Sequence, residues 1–196
     1  MAAKKNRTEP KISAILMAAG FSRRMGADKL FMRYQNKTLI EHALALLDEL
    51  PVYEKILVTT AGRLEKLTLP PAVTAVINHN PEAGQSESLR LGLGKATGQW
   101  YLFLNADQPK LKASALLPML DLAKDNPEKI IYPASNGSCF SPVLFHEIFR
   151  PKLLSITGDT GGRQLRTANA SACVPFIAAN PDEFMDVDTP GAFSFI

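Results

Sequence analysis

Residues 16 to 29, Leu-Met-Ala-Ala-Gly-Phe-Ser-Arg-Arg-Met-Gly-Ala-Asp-Lys, constrain this chain more than any other stretch. The apolar run from Ile12 to Met17 reads as a buried strand. It breaks at once into small residues, Gly20 and Gly26, two arginines and Lys29. Ala18, Ala19 and Gly20 carry so little bulk that a ligand can approach the main chain closely. The N–H groups of such a loop converge on an anion, while Arg23, Arg24 and Lys29 add charge. At the edge of an α/β sheet, such a loop stands where a nucleoside triphosphate binds. The stretch predicts phosphate handling.

Other glycine loops do not fit. A Walker loop places four residues between its glycines and follows them with Lys-Ser/Thr. Here five residues separate Gly20 from Gly26, and Ala27-Asp28 follow. The run Gly92-Leu-Gly94-Lys-Ala-Thr-Gly98 imitates a dinucleotide fingerprint but precedes the apolar segment Trp100 to Leu104 instead of following one. It is read as a helix end and turn.

With 196 residues and 46% hydrophobic content the chain can bury one sizeable core. The expected organisation is a flexible basic tail over 1–11, holding Lys4, Lys5, Arg7 and Lys11, and one domain over 12–196. No basic patch interleaved with aromatics argues for nucleic acid, despite a net charge of +3. No stretch approaches the ~18 apolar residues of a membrane span. The apolar run near the start is too short for a signal peptide. Cys139 and Cys173 make neither a disulfide framework nor a zinc site, which points to a reducing cytoplasm.

Strand-like and helix-like segments alternate. Helices are expected over 38–50, where Thr38 and Glu41 make a capping box, and over 63–69, 85–95, 112–124 and 162–169. Strands are expected over 55–60, 73–77, 100–104, 130–132, 142–145 and 172–176. Alternation of this kind predicts a three-layer α/β domain, a mostly parallel sheet with helices on both faces. The later strands, joined by shorter links, are candidates for antiparallel pairing.

Three further motifs carry chemistry. Asn78-His-Asn80-Pro-Glu-Ala-Gly84-Gln-Ser86-Glu-Ser88 follows a strand and opens a helix, whose N-terminus attracts negative charge. Asn105-Ala-Asp107-Gln-Pro109 stands at the carboxyl end of an apolar strand, facing the ligand crevice of an open sheet. Mg²⁺ takes one or two carboxylates plus phosphate oxygens, so Asp107 needs a single distant partner. In an extended Asp186-Val-Asp188-Thr-Pro190, Asp186 and Asp188 share one face. One of them is a candidate to complete a metal site and the other, with Thr189, to cap a following helix. His42, His79 and His146 form no metal-like cluster in sequence.

The 16–29 stretch resembles the Ala-Ala-Gly-x-Ser-x-Arg-Met-Gly-x-x-Lys signature of the MobA-like nucleotidyltransferases. It is most similar to that of the molybdenum cofactor cytidylyltransferases, with Ala18, Ala19, Gly20, Ser22, Arg24, Met25, Gly26 and Lys29 matching. The resemblance runs from Ile12 to Pro190, with the motifs in the family's order. It implies a Rossmann-like fold of the nucleotide-diphospho-sugar transferase (GT-A) type and Mg²⁺-dependent nucleotidyl transfer. Arg24, Lys29 and Asp107 would be catalytic. Ala18, Ala19, Gly20, Ser22, Arg24, Lys29, Asn78 or Asn80, Gly84 and Ser88 would contact the nucleotide. Asp107 with Asp186 or Asp188 would hold the metal. Gly158-Asp159-Thr-Gly-Gly-Arg163 resembles an acceptor-side element in which Asp159 and Arg163 face the acceptor.

Ala19 and Gln108 lean toward CTP, since the related guanylyltransferases tend to read Ala-Gly-Gly at 18–20; GTP is the other candidate. The implied acceptor is a phosphorylated molybdopterin-type cofactor, delivered to a molybdoenzyme. The family's Gly-x-Arg-Gly-His/Asn-Pro-Val-Leu-Phe appears here as Gly137-Ser-Cys139-Phe140-Ser141-Pro-Val-Leu-Phe145. That departure keeps two alternatives open: a sugar- or polyol-phosphate nucleotidyltransferase, or a non-catalytic carrier or insertion chaperone for the molybdenum cofactor. The helix that usually follows Asp-x-Asp-Thr-Pro is expected to be clipped at Ile196.

Overall fold

The computed structural model describes residues 9–20, 28–158 and 162–187. Apart from buried Ser13, strand β1 (Ile12–Ala18) is apolar on both faces because both are covered, as in central parallel strands. Its partners are β4 (Glu54–Thr59) on one side and β6 (Trp100–Asn105) on the other, both parallel, with Ile15 opposite Ile56 and Phe103. Between β1 and β4 come a small hairpin, β2 (Arg33–Tyr34) with β3 (Lys37–Thr38), and helix α1 (Leu39–Glu49). The capping box forms as expected: Thr38 Oγ1 accepts from the Glu41 N–H at 3.3 Å, and Glu41 Oε2 accepts from the Thr38 N–H at 2.6 Å.

After β4 the chain makes a single helical turn, α2 (Ala61–Leu64), then β5 (Val73–Ile77), α3 (Gln85–Lys95) and β6. The helix expected over 63–69 is therefore shorter and begins earlier. Beyond β6 follow α4 (Ala113–Asp125), β7 (Ile130–Ser135), β8 (Ser138–Cys139), β9 (Val143–His146), α5 (Arg150–Leu154), α6 (Arg163–Ala168) and β10 (Cys173–Ile177). The main sheet runs β10-β7-β9-β6-β1-β4-β5, with β8 beside β7. Strand β9 is antiparallel to β6 and β7, and β10 is parallel to β7.

Alternation along β1 divides the core into layers. Ile12, Ala14, Leu16 and Ala18 pack with Ile40, Leu44 and Leu47 of α1 and Leu116 and Met119 of α4. Ile15 packs on the opposite face with Leu89 and Leu93 of α3, Leu153 of α5 and Leu165 of α6. Gly92 lets α3 lie on β1: a Cβ there would stand 2.5 Å from Ile15 Cγ2. The glycines at 92–98 thus serve packing and a turn, as the sequence reading has it.

Strand order reverses between β1 and β6. The chain steps from β1 outward to β4 and β5, then crosses back through α3 to place β6 on β1's other side. A reversal of this kind opens a crevice outside the carboxyl ends of the two strands. The first loop leaves β1 there, and Asp107 follows β6 at the same edge. At the opposite edge, Glu54 Oε1 accepts from Ser13 Oγ at 2.6 Å and from the N–H groups of Thr97 and Gly98 at 2.6 and 3.0 Å. This carboxylate joins β1, β4 and the turn into β6.

Candidate active site

Lys29 and Asp107 meet in the crevice. The Lys29 ammonium donates to Asp107 Oδ2 at 2.9 Å, joining the end of the first loop to the turn after β6. Lys29 opens a short 3₁₀ turn, Lys29–Phe31, whose N-cap is Asp28; Leu30 anchors that turn in the core. The other oxygen, Asp107 Oδ1, is buried and has no hydrogen-bond partner among the described residues. Desolvating a carboxylate oxygen without a partner is costly, so this atom is suited to a cation or a donor brought by a ligand.

The loop itself is described only at its ends. Ala18 and Ala19 are buried and Gly20 is exposed, so close approach to the main chain begins at Gly20. Ser22, Arg23 and Arg24 lie outside the described residues. At the exit, Asp28 receives both Nε and Nη2 of Arg63, at 2.7 and 3.0 Å. Arg63 was not expected at the site. A cation one turn beyond β4 reads as a solvated residue of a short helix, yet it is buried here. The available signal was its position just after the carboxyl end of a strand flanking β1.

Asn78 and Ser88 are buried and bonded to each other: Asn78 Nδ2 donates to Ser88 Oγ at 3.1 Å, and Asn78 Oδ1 accepts from the Asn80 N–H at 2.8 Å. Asn80 is exposed. Of the two asparagines it is the one whose side chain stands open. Gly84, with φ of 91°, is the N-cap of α3 and supplies no side-chain cap. The serines therefore do not cap α3; Ser88 lies a turn inside it, facing Asn78. The Ser86 N–H donates to the Gly158 carbonyl at 3.2 Å, bringing Gly158 to the start of this helix. Asp159 lies outside the described residues, and Arg163 is exposed at the start of α6.

The described start of the last motif lies beside the turn after β6. The Val187 N–H donates to the Asp107 carbonyl at 2.9 Å, which seats the 185–187 segment beside the β6 turn. Val187 is buried while Asp186 is exposed, as an extended segment with one covered face demands. Asp188 and Thr189 lie outside the described residues. Among the described residues, no group of three His, Cys, Asp or Glu side chains is gathered for a metal. Asp107 is a carboxylate of the kind of which Mg²⁺ takes one or two, the rest of its coordination going to phosphate and water.

Gln108 ties two segments together. Its buried amide Nε2 donates to the Phe184 carbonyl at 2.7 Å and the Ser141 carbonyl at 3.1 Å. It fastens the 181–187 segment and the 137–142 turn to the Asp107 loop. In that turn Cys139 is exposed, and Phe140 packs against the α1/α4 side of the core, 6.1 Å from the Phe184 ring. The Arg166 guanidinium lies 4.5 Å from the Tyr132 ring centroid, on the strand paired with β8. Burial raises the Tyr132 hydroxyl above its ordinary pKa, with the neighbouring Cys139 and Cys173 adding to the rise. His42 lies 3.0 Å from the Tyr34 carbonyl through Nε2, away from the crevice. No helix among the described residues is long and apolar enough to cross a membrane.

A mostly parallel sheet whose switch point joins a glycine-loop lysine to a strand-end aspartate defines an α/β protein built to handle a nucleotide. The sequence profile of the MobA-like NTP transferase domain matches residues 14–173, and the chain belongs to that family. It is similar to the purine catabolism protein PucB of Bacillus subtilis (strain 168), 27% identical across 95% of this chain and 96% of that one. The molybdenum cofactor guanylyltransferase of Aliivibrio fischeri (strain MJ11) is 30% identical over 74% of both chains. The structure of a nucleotidyl transferase from Methanothermobacter thermautotroptrophicus superposes with a TM-score of 0.79. That match covers 94% of this chain and 95% of the other at 22% identity, a likeness of fold.

Proposed function

We propose that this protein transfers a nucleoside monophosphate from its triphosphate to the phosphate of a small acceptor, releasing pyrophosphate. The observation that carries the reading is the Lys29–Asp107 contact of 2.9 Å at the switch point, with Asp107 Oδ1 left for a further partner. An oxygen of the acceptor phosphate attacks the α-phosphorus, the α–β bridging bond breaks, and pyrophosphate carries away the electron pair. A phosphomonoester is mostly dianionic near neutrality, its second pKa being about 6, so the attack needs no general base. The work left to the protein is in-line positioning and charge neutralisation. Lys29 approaches both the α-phosphate and the incoming phosphate, exchanging its contact with Asp107 for theirs. Arg24 and the loop N–H groups hold the triphosphate tail, and Asn80 and Gly84 border the nucleoside. Asp107 and Asp186 or Asp188 are the residues that would hold Mg²⁺, whose chemistry is to neutralise phosphate charge.

Cytidine is the base favoured by Ala18-Ala19-Gly20. A specific observation favours guanosine as a second reading: the 30% identical relative is named a molybdenum cofactor guanylyltransferase. The same name supports a molybdopterin-type phosphate as acceptor, with Arg163 the residue assigned to meet it. Calorimetric titration with CTP, GTP, ATP and UTP in the presence of Mg²⁺ tests the reading. Tightest binding of CTP is expected; preference for GTP replaces the base, and absence of binding by all four overturns the function.

A further inference from the structure

Arg63 is 8% exposed and spends four donor contacts on the two ends of the first loop. Nη1 donates to the Ala18 carbonyl at 2.6 Å and Nη2 to the Gly20 carbonyl at 2.9 Å. Nε and Nη2 reach the two Asp28 oxygens at 2.7 and 3.0 Å. Entry and exit of the loop are thus held by one planar group. Asp28 is also the N-cap of the turn that begins with Lys29, so the residue Arg63 grips sets the backbone from which Lys29 reaches Asp107.

We infer that Arg63 is a positioning residue for the triphosphate tail: it clasps the two ends of the loop in register and cancels the charge of Asp28 beside the bound phosphates. The inference rests on the proposed nucleotide site and adds to it a residue from outside the loop. A buried ion pair is a weak source of stability, since its desolvation offsets much of its attraction. What the fork supplies is geometry, fixing two carbonyls and a carboxylate in one plane. Lysine carries the same charge as a single point with three donors and cannot span those four acceptors.

Asp28 makes the idea testable by sign. Plain electrostatics says that removing a carboxylate near a polyanion tightens its binding. If Asp28 instead works as the grip of Arg63, Asp28→Asn weakens it. The test is calorimetric titration of the full-length protein with Mg·CTP, Mg·GTP, CMP and GMP, for wild type, Arg63→Lys and Asp28→Asn. Wild type is expected to bind a triphosphate. Both variants should lose about tenfold or more in triphosphate affinity, the scale of a lost charged hydrogen-bond pair. Monophosphate affinity should change much less, a contrast that general loosening of the fold would not produce.

Amide exchange at Gly20 and Leu30 without nucleotide should accelerate in both variants. Unchanged exchange, equal loss for monophosphate and triphosphate, or tighter triphosphate binding by Asp28→Asn overturns the role of Arg63. Failure of wild type to bind any of these nucleotides overturns the functional reading instead, while the exchange measurement still decides whether Arg63 clasps the loop.

Discussion

Lys29 Nζ stands 2.9 Å from Asp107 Oδ2, although 78 positions separate the two residues in the chain. The fold makes the contact by running β1 and β6 side by side in parallel, so that the segments leaving both strands emerge at one edge. Removing either member should remove chemistry rather than structure. Lys29→Ala and Asp107→Asn are each expected to lower turnover by about 10²–10³, the range seen when a preorganised electrostatic contact to the transition state is lost. A pyrophosphate-release assay measures this, with thermal melting run in parallel. Near wild-type turnover in either variant refutes its part in the reaction.

Asp107 was legible as a candidate because it stands just beyond the apolar run of β6, and Lys29 because it closes the small-residue loop that leaves β1. The same logic makes the layers readable, as does Thr38 with Glu41 at the start of α1. What the sequence does not announce is contact made through main-chain atoms. Arg63 binds the carbonyls of Ala18 and Gly20, and Gln108 those of Ser141 and Phe184. A carbonyl carries no residue type, so nothing in the spacing marks these partners. Gln108, which in the sequence leans toward CTP, uses its amide nitrogen to join two segments. The antiparallel β9 was open for a similar reason: a short link permits such a strand but does not choose its neighbours.

Gln108 yields a stability prediction. Its amide satisfies two carbonyls from segments otherwise distant in sequence, and it is 5% exposed. Gln108→Met keeps the length and loses the donor, leaving buried carbonyls unpaired. The expected cost is about 1–3 kcal/mol. Urea unfolding should show this as a lower midpoint with an unchanged slope. A midpoint equal to that of wild type would mean that the two segments are held by other contacts.

Glu54 gives a pH dependence. Burial by itself would raise its pKa, but hydrogen bonds from Ser13, Thr97 and Gly98 outweigh burial and hold the carboxyl below its ordinary value. Below the unfolded carboxyl's pKa, about 4.3, the unfolded chain takes up this proton more readily than the folded one. The stabilisation is therefore present above that pH and is lost as pH falls through the lower, folded value. Glu54→Gln should melt at a lower temperature than wild type at pH 7, and the gap should shrink from about pH 5 downward. Melting curves from pH 7 to pH 3 measure it; a gap that widens toward acid contradicts the assignment.

The 137–142 turn bears on the acceptor. The family's arginine is replaced by Cys139, which removes a fixed cation, and its glycine by Phe140, which adds apolar bulk. In the structure these two substitutions are unequal. Phe140 is packed against the core and Phe184, so Phe140→Gly would lower stability along with any effect on binding. Cys139 is exposed, so Cys139→Arg introduces the charge with little disturbance of packing. Cys139 leaves less positive charge at this turn for a molybdopterin phosphate than the family's arginine would. On that basis Cys139→Arg should raise kcat/KM for the molybdopterin-type acceptor while leaving CTP affinity and melting temperature close to those of wild type. Arg166, held over Tyr132 on the neighbouring strand, is the competing source of positive charge. If the native protein already uses the molybdopterin-type acceptor efficiently, Cys139→Arg gives no gain and Arg166→Ala lowers the rate, then Arg166 has taken over the missing arginine's part and the acceptor has not changed.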